Sequence, residues 1–229
     1  MFLVTELTLF GAKIPYRVKV EVGGGLRRIP LSRRSHIIGF QPLRTGTVEH
    51  ESALERDFVT LTGFLDPHAA ITSQPVTIEF LDGAKARRYT PDFLVDWSRG
   101  PRELVEVKYR KDLHAHWSCL KPGFVAARRW AYEHGATFRI ATERRIRGSE
   151  LENAKRLLPL REAPLDVAAA QHVLAVGRSM HSPTFGQMLA ASQVPRALAL
   201  ATVWRLIARG ALRADLSAPI GFDTILSLP

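Results

Sequence analysis

Three residues near the middle of this 229-residue chain combine types and spacing that can do chemistry. Asp92 stands in "YTPDFLVD" just ahead of an apolar run, and Glu106 and Lys108 stand two apart in "LVEVKYRK". Both segments read as strands entering a core, where an unpartnered charge is costly, so such groups face a ligand, a metal or solvent. Alternation puts Leu104, Glu106 and Lys108 on one face of their strand and Val105 and Val107 on the other. Pro91 favours an extended start before Asp92. If the two strands pair, the carboxylates and the ammonium converge at one sheet end. Two carboxylates there suit a hard cation such as Mg2+, which takes one or two protein carboxylates together with water and phosphate oxygens. Lys108 beside them can hold or deprotonate an attacking water, or neutralise charge in a phosphoryl transition state. The plain alternative is a hairpin with surface charges.

The flanking elements must position these groups. Leu54, Phe58, Leu61 and Leu65 recur at helical spacing, which predicts a helix from Glu49 to about Leu65. Glu51 and Glu55 lie one turn apart on one flank of that stripe, where stacked like charges weaken a helix unless a cation or a basic strand relieves them. They can equally be two surface glutamates. In "VTIEFLDGAKARRYTPDFLVDW" two extended runs flank Asp82-Gly83, a tight-turn dipeptide, and "RELVEVKY" is a third strand. "KPGFVAARRWAYEHG" predicts a helix that opens near Pro122 and stops at Gly135. "TFRIAT" is a fourth strand, followed by a helix around 149–158. The order helix, three strands, helix, strand describes a mixed α/β layer with a central sheet. Upstream, "YRVKVEV" reads as a strand and the glycines at 23–25 as a plain loop. "PLREAPLD" (159–166) reads as a linker, with three helices beyond it and two short strands around a Ser-Ala-Pro turn. That set is winged-helix-like. The expected division is a basic segment over 1–46, a core over 47–160 and a C-terminal domain over 164–229.

Charge points to a polyanion. Lys and Arg number 32 against 22 acids, a net +10, and the first 46 residues hold eight basic residues against two acidic ones. Arg33, Arg34 and His36 in that segment, with Arg110 and Lys111 just past the site, are the expected phosphate contacts. The 46% hydrophobic content argues against bulk disorder. Cys119 is the single cysteine, which leaves no disulfide frame and no cysteine-based zinc site. His114 and His116 in "LHAHW" could ligate zinc from a strand, but no third ligand stands at a suitable spacing. Trp117 and Trp130 read as core or shelf residues. Arg196, Arg205 and Arg209 punctuate a helix suited to core packing or partner docking. No apolar run reaches a membrane span of ~18 residues, and the amino terminus lacks the positive lead of a signal peptide. A cytoplasmic protein, on the bacterial nucleoid when active, is expected.

Pro-Asp, thirteen residues and Glu-x-Lys on strands of this order resemble the PD-(D/E)xK nuclease superfamily, whose core is restriction-endonuclease-like with αβββαβ order and a mixed sheet. "RSHIIGFQPLRTGTVEHESALERDFVTL", "TPDFLVD" and "VEVKYRK" together are similar to TnsA, the endonuclease subunit of heteromeric transposases. The similarity runs over roughly residues 33–145. It implies a catalytic triad of Glu55, Asp92 and Lys108, with Asp92, Glu106, the Val107 carbonyl and Glu55 around Mg2+, for which Mn2+ can substitute. A register shift of one turn would put Glu51 in the place of Glu55. At Glu106 the chain follows the general superfamily pattern rather than the glutamine of the best-known relative. The resemblance further implies hydrolysis at the 5′ ends of a transposon, leaving 3′-hydroxyl and 5′-phosphate ends, beside a DDE transposase subunit and an AAA+ ATPase regulator. The rival readings are a stand-alone nuclease of the same fold, either restriction enzyme or junction resolvase, and a catalytically silent DNA-binding adaptor.

Overall fold

Ser52 decides where the first long helix begins. A computed structural model describes the backbone of Tyr16–Lys19 and residues 39–229, and in it helix α1 spans Ala53–Leu65. Its N-cap is Ser52, whose hydroxyl accepts from the Glu55 N–H at 3.2 Å. The helix therefore starts four residues later than its apolar stripe suggested. Glu49 and His50 belong to strand β3 (Gly46–His50), which pairs with β2 (Gly39–Leu43) as an antiparallel hairpin. Glu51 is thus outside the helix, and the expected stacking of Glu51 and Glu55 along one helix flank does not form. Arg33, Arg34, His36 and the glycines at 23–25 lie outside the described residues.

After α1 come β4 (Ala70–Ser73), β5 (Thr77–Asp82), β6 (Lys85–Tyr89), β7 (Phe93–Asp96), β8 (Arg102–Val107), helix α2 (Arg110–Glu133), β9 (Ala136–Ala141) and the short α3 (Glu143–Ile146). Gly83 turns β5 into β6 at φ +61°, the left-handed backbone that glycine tolerates. The run expected to continue unbroken from 84 to 97 instead divides. β6 pairs with β5, which also pairs with β1 (Tyr16–Lys19), whereas β7 joins a mixed sheet of order β4-β7-β8-β9. In that sheet β7 runs antiparallel to β8, and β9 runs parallel to β8.

The two faces of β7 and β8 bury different partners. Phe93, Val95, Val105 and Val107 pack with Leu54, Phe58 and Val59 of α1, and the Phe58 and Phe93 rings stack at 5.5 Å. Leu94 and Leu104 pack with Ala127, Trp130 and Ala131 of α2. Both faces being covered explains why these strands read as nearly continuous apolar runs. Helix α2 starts twelve residues before Pro122 rather than near it, and non-helical angles at His116 break it. His114 and His116 consequently lie on a helix rather than a strand, and residues two apart on a helix do not share a face.

The chain divides into two compact units between Ile146 and Arg147. The second contains α4 (Ser149–Arg161), α5 (Val167–Ser179), α6 (Phe185–Ala191), α7 (Arg196–Ala208) and a two-residue antiparallel pair, β10 (Arg213–Ala214) with β11 (Leu226–Ser227). α4 was expected in the core that ends at 160, with a linker over 159–166. It packs instead with the second unit, because buried Asn153 donates to the carbonyls of Leu216 and Ala218 at 3.0 and 2.8 Å. Pro159 sits inside the helix without ending it. Phe185, Met188, Val203, Leu206 and Leu226 are buried in this unit.

Candidate active site

The pairing of β7 with β8 sets the site. Phe93 opposes Val105, so one further step of the antiparallel register sets Asp92 opposite Glu106, where side chains share a face. The Val107 N–H donates to Asp92 Oδ2 at 2.6 Å, which ties the carboxylate to the end of β8. Oδ1 accepts no hydrogen bond among the described residues. Glu106 is buried and uses both oxygens: Lys108 Nζ donates to Oε1 at 2.6 Å and the Tyr89 hydroxyl to Oε2 at 2.6 Å. Glu55 is held at the start of α1, its Oε2 accepting from the Glu51 N–H at 2.7 Å and its Oε1 from the Ser52 hydroxyl at 2.8 Å.

The charges feel one another. Burial, then the negative charges of Glu106 and Glu55, hold the Asp92 carboxyl well above the usual carboxylate range, against the pull of the Val107 N–H and Lys108. Burial likewise raises Glu55, and the charges of Glu51 and Glu106 add to it, while its two donors oppose the rise. Burial works to lower Lys108, but Glu106, Asp92 and Glu55 outweigh it and keep the ammonium protonated beyond the usual lysine range. In this arrangement Lys108 donates to Glu106 as an ammonium. Three carboxyl groups therefore act on one another with a single ammonium among them.

A hard cation fits the donors. They are all oxygens, and Asp92 keeps one open. Among the described residues no three His, Cys, Asp and Glu side chains stand close enough to enclose an ion.

Arg110 and Lys111 are exposed at the start of α2, and Lys111 Nζ lies 5.6 Å above the Tyr109 ring. Glu51 accepts from the Gln74 side-chain amide at 2.5 Å and points its charge there. Gln74 takes a left-handed φ of 44°, and its N–H donates to the Asp92 carbonyl at 2.7 Å. Strained backbone of this kind clusters at functional sites.

Residues 69–143 match the family model described as TnsA-like endonuclease N terminal. Over this stretch the chain is TnsA-like. The general fold of that family is PD-(D/E)xK, and the match supports a nuclease of transposase type. Asp92, Glu106 and Lys108 fall within the TnsA-like stretch, and Glu55 falls before it. No curated protein matches the sequence.

Sequence reasoning missed Tyr89 and Gln74. Tyr89 sits on a strand of the other sheet, with its ring edge-on to Phe124 at 5.8 Å, and only the tertiary fold brings its hydroxyl to Glu106. A Cβ on Gly123 would stand 3.0 Å from that ring, so glycine makes room for it. Ser52 was legible: Ser-Ala-Leu-Glu spells a capping signature ahead of an apolar run.

Proposed function

We propose that the chain is the metal-dependent DNA endonuclease subunit of a heteromeric transposase, hydrolysing phosphodiesters at the 5′ ends of the element during excision. The observation that carries this reading is the Asp92 carboxylate tied to the Val107 N–H at the end of β8, beside the Glu106–Lys108 pair, within a TnsA-like stretch. Asp92, Glu106 and the Val107 carbonyl would hold Mg2+, with Mn2+ as a substitute, and Glu55 would hold water of a second ion. Bound there, the ion would lower the pKa of a water toward neutrality and offset charge on the phosphate. Lys108 would orient the attacking water and stabilise negative charge that grows on the phosphoryl oxygens. Tyr89 fixes Glu106 by donating to Oε2 while Lys108 donates to Oε1, which orients the carboxylate that would help to hold the ion.

DNA reaches the site through cationic groups: Arg33, Arg34 and His36 in the basic first 46 residues, and Arg110 and Lys111 past β8. Under this reading the second unit is a winged-helix-like domain, the partners are a DDE transposase subunit and an AAA+ regulator, and the work is done on the bacterial nucleoid.

The test is excision reconstituted with the neighbouring transposase proteins on a labelled transposon end. Asp92→Ala should abolish 5′-strand cutting while 3′-strand cutting by the partner continues. Lys108→Ala should lower 5′ cutting on the order of 10²- to 10³-fold with DNA binding retained. Unchanged 5′ cutting by Asp92→Ala overturns the assignment.

A further inference from the structure

A groove of about 500 Å³ opens in the first unit. Leu113 and Trp117 of α2 line it, with Thr142 just after β9. Arg110, His114, Arg144 and Arg145 line it as well, and all four are exposed. None of the three arginines has an ion pair among the described residues. Trp117 is 48% exposed, with its ring tilted against Phe124 at 6.0 Å. Glu143 Oε2 accepts from the Arg110 backbone N–H at 2.9 Å.

The groove's place in the fold is fixed by the strands that carry the site. Arg110 follows Lys108 by two residues. The Lys108 N–H donates to the Ala141 carbonyl at 3.0 Å, and Thr142 is the next residue. The groove therefore begins at the same sheet end as Asp92 and Glu106. Its volume lies in the range of small-ligand pockets, too small for a duplex and sufficient for a nucleotide.

We propose that this groove takes one unpaired nucleotide of the strand being cut, with its base stacked on Trp117 and its flanking phosphates on Arg110, Arg144 and Arg145. This rests on the nuclease reading for the identity of the strand, not for the binding itself. An aromatic platform ringed by arginines is how proteins hold single-stranded nucleic acid, because every base offers a π face and every linkage a phosphate. The expected consequence is local: the base pair next to the scissile bond opens before cutting, and weakly paired ends are cut faster than fully paired ones.

The experiment uses the full chain without divalent ions, and fluorescently labelled oligonucleotides of one sequence as single strand, intact duplex and duplex with one mismatched pair. Trp117→Ala should weaken binding of the single strand and the mismatched duplex by about 5- to 100-fold and the intact duplex by less than about twofold. Trp117→Phe should restore most of it, which separates stacking from folding. Replacing Arg144 and Arg145 together by alanine should weaken all three and lower the salt dependence by about two phosphate contacts. Unchanged single-strand binding by Trp117→Ala overturns the proposal. So does a polyglutamate peptide that binds wild type but not Trp117→Ala while no oligonucleotide depends on Trp117, since the groove is then a protein-docking site. Binding that depends on Trp117 in a chain that never cuts would keep the groove and remove the nuclease reading. Cutting with binding indifferent to Trp117 would do the reverse.

Discussion

Asp92 is held by two opposing influences, and the direction of its shift decides between them. The Val107 N–H at 2.6 Å and the Lys108 ammonium favour the charged form. Burial and the charges of Glu106 and Glu55 disfavour it more, because the net shift is upward. A neutral isostere that still accepts the Val107 bond removes the larger, unfavourable part. Asp92→Asn should therefore melt at a higher temperature than wild type at neutral pH without divalent ions. Each kcal/mol recovered raises the midpoint by about 2–4 °C for a chain of this size. Mg2+ should raise the wild-type midpoint and leave the variant unmoved. Thermal melts of both proteins with chelator and with Mg2+ check this, and an Asp92→Asn protein that melts lower in chelator contradicts the account of the charges. Function held at the expense of stability is a common property of active sites. Alternation on one strand sufficed to place Glu106 beside Lys108, and pairing sufficed to bring Asp92 opposite. Tyr89 was beyond reach, because its partner lies 17 positions away and on a different sheet.

Elements were legible where a period of 3.6 or 2 persisted, and they blurred where one element abuts another. The apolar stripe of α1 was clear, but its start was not, since Glu49 and His50 finish a strand immediately before the cap. β4 escaped notice because four residues, "AITS", are too few to show alternation. β6 and β7 merged because only "TPD" separates them. The end of α1 shows how such joins are made. Asp66, its C-cap, accepts from the His68 N–H at 3.0 Å and from the Ser98 N–H at 2.7 Å in the turn after β7. Burial, the largest single influence, pushes this carboxyl up, but the Ser98 and His68 donors together outweigh it and hold it below the usual 3.8. A carboxylate lowered on folding stabilises above the unfolded value, and the gain is lost as pH falls through the folded one. Asp66→Asn should therefore be less stable than wild type from pH 5 to 7, by less than about 1 kcal/mol because the group is solvated. The gap should shrink as pH falls below the ordinary aspartate value and close once pH is under the lowered folded one. Urea unfolding across that range measures it, and a gap that stays constant with pH excludes the charge as its cause.

For the whole molecule, two units with separate buried cores imply that damage to one stays in it. Asn153 is the sharpest place to apply this. It is 4% exposed, and its amide serves the carbonyls of Leu216 and Ala218 while its oxygen faces the Ile220 N–H at 3.4 Å. Those three groups belong to the segment between β10 and β11, so a single side chain pins that segment to α4. Apolar periodicity carries no trace of this, and so the sequence placed α4 with the preceding core. Replacing Asn153 by alanine leaves the backbone groups without their partner and costs about 2 kcal/mol. Hydrogen exchange of Asn153→Ala should show protection falling in peptides from 149–161 and 213–227. Peptides covering 93–107, where the carboxylates sit, should exchange as in wild type. Equal loss in both sets would mean that the chain unfolds as one cooperative body and that the division at Ile146 has no thermodynamic meaning.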